Sequence, residues 1–231
     1  MFLARKKLKF FILLIVACLL ALSYTKYSQS KKLTQIRELE NFLGGKMTVT
    51  ATNLEAKLLP PPYDFLLTQP LMTIGMEKYY QRTPVVQAVS ILKNNKTQTF
   101  SRIITMFIDS NKTRNDANLA QKSKEEVVVE LASITMNFAA LPENVKNAVL
   151  TTKTPFGKLL TTNNISTNDV DRHYFALNCD AALTRYLHCK IGAPLYGRTN
   201  TIVSKDSGEW LARVVEILSG TACKDQACQN L

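Results

Sequence analysis

The sequence predicts an α+β fold, a largely antiparallel sheet of about six strands with helices packed on one face. Three observations carry that prediction. Runs rich in β-branched residues come in pairs around polar turns, the stretches between the pairs show helical spacing, and the order along the chain is helices, strands, helices, strands. With 231 residues, 46% of them hydrophobic, the chain has material for one well-packed domain and little for two.

The first element is an export signal or membrane anchor over residues 1–23. Arg5, Lys6, Lys7 and Lys9 precede an uninterrupted apolar run from Phe10 to Leu22. That run is short beside the roughly 20 residues of a spanning helix and suits the core of a secretory signal. Ala21-Leu22-Ser23 resembles a cleavage site and Ile15-Val16-Ala17-Cys18 a lipobox, with cleavage or an uncleaved anchor ranked above lipid attachment. The expected location is therefore exported, periplasmic or secreted, with membrane association through the N-terminus. Residues 24–50 read as a helical tether: Leu33, Ile36, Leu39 and Leu43 recur at helical spacing before Gly44-Gly45 ends the pattern.

Pro60-Pro61-Pro62 then leads into two short helices separated near Pro70. Val85 to Leu92 and Ser101 to Ile108 read as a hairpin, the segment from Asp109 to Glu126 as a long polar surface loop, and VVVELASITMNF as another strand. Two helical patches joined at Thr154-Pro155 follow. A proline at a first helical position is a start signal, and Gly157 in that turn would let a ligand approach the backbone amides. A glycine kept for packing is the competing reading. A helix between Cys179 and Cys189 precedes a last hairpin, LYGRTNTIVSKDSGEWLARVVEIL, and residues 221–231 form a cysteine-containing tail.

Two strands carry a charge in apolar company. Strand alternation gives Glu216 the face of Ala212, Val214 and Leu218, and gives Arg102 the face of Ile104, Met106 and Ile108. Such groups mark either a strand end reaching water or a site lining a cleft. Arg198 is the corresponding charge on the partner strand of the last hairpin.

Cys18 lies in the signal, leaving Cys179, Cys189, Cys223 and Cys228, an even number that favours disulfides in an exported protein. Pairing Cys179 with Cys189 and Cys223 with Cys228 is the simplest of three connectivities. No Cys-x-x-Cys pair occurs, and His173 and His188 are not spaced to complete a zinc site, so no metal is expected. The net charge of +11 falls to +7 once the basic signal is lost, and the remaining excess is scattered. Without a basic block or aromatic-glycine motif it reads as a solvated surface, which argues against nucleic acid. The chain is expected to act as a monomer.

Four segments, in order, resemble the chorismate lyase (chorismate–pyruvate lyase) family. DFLLTQPLMT is similar to the family's helix ending in Met-Thr, SRIITMFI to its arginine-bearing strand, TPFGKLL to its Thr-Pro-Leu-Gly helix start, and LYGRTNTIV with VVEIL to its last hairpin. The resemblance covers roughly Pro60 to Leu218 and implies that residues 51–220 form a chorismate lyase-like domain, a six-stranded antiparallel sheet with a ligand pocket under helical flaps. It further implies that Arg102 pairs with a ligand carboxylate, Met72 packs on a ring, the Phe156 amide lies near that carboxylate, Met72 and Phe156 wall out water, Glu216 manages a proton, and Arg198 sits at the pocket edge. Arginine grips carboxylates bidentately, and a glutamate in apolar surroundings has a raised pKa, so the residue types fit elimination of pyruvate from dianionic chorismate to give 4-hydroxybenzoate, with no cofactor. The sequence departs where some members carry a second arginine in a Gly-Arg-Thr motif, having Ala132-Ser133-Ile134 there. Beside the lyase stand two other readings: an exported, non-catalytic module binding a small aromatic or dicarboxylate ligand, and an interaction protein of the envelope.

Overall fold

The computed structural model describes residues 36–111, 113–224 and 227–229. The signal or anchor expected over residues 1–23 lies outside them. Among the described residues no helix is long and apolar enough to cross a membrane. Residues 36–43 form α1, followed by β1 (Val49–Leu54), α2 (Tyr63–Leu66), α3 (Met72–Tyr80), β2 (Val85–Asn94), β3 (Thr99–Asp109), α4 (Ala117–Ser123) and β4 (Glu126–Asn137). Then come α5 (Glu143–Thr151), α6 (Phe156–Thr162), β5 (Thr167–Asn178), α7 (Ala181–Leu187), β6 (Pro194–Ser204), β7 (Trp210–Leu218), β8 (Ala222–Lys224) and β9 (Ala227–Gln229).

The fold is α+β, and its main sheet has seven strands rather than six, in the order β1-β5-β6-β7-β4-β3-β2, every pairing antiparallel. The extra strands come from text without clean alternation. In β1 the polar residues Thr50, Thr52 and Asn53 are exposed, and Asn53 has a positive φ of 55°. In β5 the first half, TNDVDR, is polar, and the register slips between Val170 and His173 around Asp171, also at φ 55°. Pairing of β5 with β6, and of β1 with β5, overrides these weak local preferences.

Helices cover both faces of the sheet, not one. Successive strand residues point to opposite sides. One side packs Ile103, Leu131, Val215 and Ile217 against Leu39 and Leu43 of α1 and Leu183 and Leu187 of α7. The other packs Ile104, Ala132 and Leu218 against α2 and α3, and Ile134, Met136, Ala212 and Val214 against α5 and α6. Gly197 on β6 makes the first packing possible, because a Cβ there would stand 2.5 Å from the Phe175 ring and from the Glu216 carbonyl oxygen.

The segment expected to be a loop contains α4. Asp116 caps it by accepting from the Leu119 amide at 2.9 Å, and the chain leaves through Lys124 in the left-handed region. Buried Asp109 organises the approach: its carboxylate accepts from the Asn111 and Asp116 amides and from two nitrogens of Arg114 at 2.7 and 2.8 Å. Burial alone would raise the Asp109 carboxyl, but these donors outweigh it and hold the group below its ordinary range.

Both cysteine pairs form disulfides, Cys179 with Cys189 and Cys223 with Cys228. The first brackets α7 inside the apolar cluster of its face. The second ties β8 to β9, and Cys228 packs with Tyr63, Tyr80 and Leu218 on the opposite face.

Candidate functional site

On the α2/α3/α5/α6 side, strand alternation brings every charged residue singled out in the sequence to one enclosed chamber of about 40 Å³. Arg102 (β3), Glu216 (β7), Arg198 (β6), Met72 (α3), and Phe156 and Gly157 (α6) all line it. The floor is low because Ala132 of β4 stands opposite both Ile104 and Glu216, and its methyl group leaves the space that a larger side chain would fill. Where the sequence lacks a second arginine motif, Ala132 and Ile134 line the chamber while Ser133 takes the other face.

Arg198 is not at the pocket edge. It is 1% exposed, the largest fully buried side chain among the described residues. It stands directly across from Glu216 on the neighbouring strand, and its Nε donates to Glu216 Oε2 at 2.5 Å. Its Nη1 donates to the carbonyl oxygens of Leu67, at 2.9 Å, and of Gln69. Those carbonyls follow the last turn of α2 and lack helical partners, so a cation is favourable there. Arg172 of β5 reinforces the attachment by donating to the carbonyls of Thr68 and Gln69 while pairing with Asp169. The turn between α2 and α3 is thus fastened to the sheet by two guanidinium groups.

Arg102 is held differently. It is 4% exposed, and its single contact is a long hydrogen bond of 3.4 Å from Nη1 to the Val149 carbonyl, leaving Nε and Nη2 without partners. Burial lowers its pKa to about 10, with no carboxylate near enough to counter the effect.

One functional group escaped the sequence reading. Glu130 of β4 is 1% exposed and lines the chamber beside Glu216. Burial, then the Glu216 carboxylate, push its pKa well above the carboxylate range, and the opposing influence of Arg198 is smaller. Burial and Glu216 both favour the protonated form of Glu130, and its Oε2 has no partner. Alternation in VVVELASITM would have found it, since Glu130 falls in step with Ala132, Ile134 and Met136. Asn200 was missed as well: it lies between Arg198 and Ile202 on the same strand face, is 2% exposed, and makes no hydrogen bond through either amide atom.

Gly157 also serves the helix packing: a Cβ there would meet Thr73 Oγ1 at 3.1 Å and the Leu71 Cβ at 3.4 Å, so the glycine admits the start of α3. Among the described residues no group of histidine, cysteine and carboxylate side chains could hold a metal.

A wider groove of about 360 Å³ lies on the other face, where Phe42 of α1 overhangs Ser90, Ile103 and Ser133. It is the roomier concavity, and Arg102 borders it as well, but buried Glu130, Arg198 and Glu216 join Arg102 only at the chamber, which is the stronger functional candidate.

No family model and no curated protein matches the chain. Among solved structures it is similar to the effector domain of PhnF from Mycobacterium smegmatis, at 11% identity and a TM-score of 0.42 over 65% of this chain and 91% of that one. It is also similar to the ligand-binding domain of a protein described as a GntR-family transcriptional regulator from Bordetella bronchiseptica, at 8% identity and a TM-score of 0.38 over 65% and 90% of the two chains. A third, YydK from Bacillus subtilis, a possible transcriptional regulator, aligns at 7% identity and a TM-score of 0.40, covering 62% of this chain and 61% of its own, so the chain spans less than two thirds of YydK.

Proposed function

We propose that the chain is a binding module for a small carboxylate, which enters the chamber and pairs with Arg102. The observation that carries this reading is the state of Arg102: a guanidinium 4% exposed, with two nitrogens unpaired and no counter-ion among the described residues. A buried cation without an anion costs several kcal/mol, and such a group in a cavity is a candidate for a ligand's partner. Arginine presents two parallel donors to a carboxylate, and Nε and Nη2 are such a pair. The walls supplied by Met72, Ile104, Ile134, Phe156 and Val214 favour an apolar or aromatic body.

About 40 Å³ admits a few water molecules, far less than an aromatic acid. Binding such an acid therefore requires the α2–α3 turn, or the Met72 and Phe156 side chains, to swing outward. The two disulfides support placing the module in an oxidising, exported setting. Calorimetric titration with 4-hydroxybenzoate is the test. Saturable binding that weakens at least about 100-fold in Arg102→Met is expected, given the worth of a charge-assisted pair in a dry site. Retention of wild-type affinity in Arg102→Met would sink the reading.

Elimination of pyruvate from chorismate is a second reading, favoured by one observation: the neutral carboxyl of Glu130 beside Glu216 is a proton source inside the chamber. Glu216, the acid expected from the family resemblance, is already engaged as the partner of Arg198. Pyruvate release from chorismate above the uncatalysed rate, lost in Glu130→Gln, would establish this reading.

A further inference from the structure

We propose, resting on the carboxylate-binding reading above, that the chamber accepts one negative charge and no more, and that Glu130 sets this limit by keeping its proton beside the Glu216–Arg198 pair. The inference starts from the lining. Its four ionisable side chains are Arg102, Glu130, Arg198 and Glu216. Arg198 and Glu216 cancel across adjacent strands at 2.5 Å, which leaves Arg102 as the one uncompensated charge while Glu130 is neutral.

The surroundings of Glu130 hold it in that state. Glu216 faces it from β7, Arg198 from β6 and Tyr80 from α3, while Met106 stands opposite on β3. The Tyr80 phenol is itself pushed upward by burial and donates to the Thr221 carbonyl, so it brings no charge to the cluster. Burial and the Glu216 carboxylate both oppose ionisation of Glu130. A monocarboxylate on Arg102 makes the chamber neutral. A second carboxylate would add a charge beside the Glu216 carboxylate with no further uncompensated cation in the lining, and like charges in a poorly solvated space repel strongly. Loss of the Glu130 proton has the same effect as a second ligand charge. The bound anion is then the uncompensated one, and affinity falls.

Two matched probes test the limit on the full chain: 4-hydroxybenzoate, a monoanion, and benzene-1,4-dicarboxylate, a dianion of similar shape. At about pH 6 the monoanion is expected to bind about 100-fold tighter. Its affinity should then fall by up to about tenfold per pH unit as Glu130 ionises, and Glu130→Gln should hold the acid-side affinity throughout. Equal affinities for the two probes, or a pH profile unchanged in Glu130→Gln, overturns the proposal while leaving carboxylate binding intact. The wild-type comparison alone decides the charge limit should the variant fold poorly.

Urea denaturation separates the remaining case. A carboxyl whose folded pKa is raised binds more protons folded than unfolded, so its stabilising contribution is complete below the unfolded value of 4.5 and is lost as pH rises through the folded one. Wild-type stability should decline over that window and Glu130→Gln should not. If neither probe binds at any pH while this decline is present, carboxylate binding is wrong and the charge limit falls with it. Absence of the decline refutes the retained proton directly.

Discussion

The two faces of the sheet are built from the same strands and differ in what they bury. On the α1/α7 face the buried cluster is apolar, with Leu131, Leu177, Leu183, Leu187, Val215 and Ile217 fully buried around the Cys179–Cys189 disulfide, and Ser133 and Thr199, polar residues buried beside it, are uncharged. On the α2/α3/α5/α6 face the same alternation inserts Arg102, Glu130, Arg198, Asn200 and Glu216 into the core. Buried charges rarely add net stability over apolar residues of similar size. Both faces carry apolar clusters, and the second bears the cost of these buried charges.

Three substitutions sharpen that contrast. The largest effect is expected at Arg198, whose removal in Arg198→Leu strands Glu216 without its counter-ion, frees the Leu67 carbonyl and leaves the Gln69 carbonyl to Arg172 alone. A loss of about 3–5 kcal/mol in urea denaturation is expected, because breaking a buried pair leaves an uncompensated charge. An effect below about 1 kcal/mol would mean that the α2–α3 turn does not depend on this side chain.

Next comes the staple on the dry face. Removing both sulfurs in Cys179→Ala/Cys189→Ala opens a loop with a sequence separation of 10 and should cost about 2–3 kcal/mol, read as a lower melting temperature. Ligand affinity should be unchanged, since α7 lies across the sheet from the chamber.

The smallest effect has the opposite sign. Arg102→Met removes a desolvated guanidinium that no carboxylate compensates, so the ligand-free protein should gain about 1 kcal/mol while losing the ligand. A stability loss at this position would show that Arg102 has a structural partner and is not waiting for one.

Much of this face was legible in the sequence, and the reason is periodicity. Arg102 and Glu216 announce themselves because strand alternation puts each in step with aliphatic neighbours, and Thr154-Pro155 marks the start of the helix that carries Phe156. Glu130 obeys the same rule on β4 but sits in a run so apolar, VVVELASITM, that burial on both sides masks the alternation. Arg198 reads as peripheral because pairing across strands, which sets it opposite Glu216, is not written in either strand alone. The strands missed, β1 and β5, are specified by their partners, and α4 is hidden by a polar composition although Asp116 is a cap of the expected type. Coverage of both faces was also invisible, since helical spacing tells that a helix has an apolar stripe but not which side of the sheet it meets.

The strand order has a kinetic consequence. The centre of the sheet joins β4 to β7, and beside that junction the Thr221 hydroxyl donates to the Val128 carbonyl across 93 residues of sequence. Chain entropy makes this junction, with the still more distant β1–β5 pairing, a demanding closure, whereas the β2–β3 and β6–β7 hairpins bridge short loops. Each hairpin can form while still wet, one carrying Arg102 and the other the Arg198–Glu216 pair. Glu130, on β4, meets Glu216 only when the halves join, so the dehydration of these charges and a long-range closure of the chain fall in a single step.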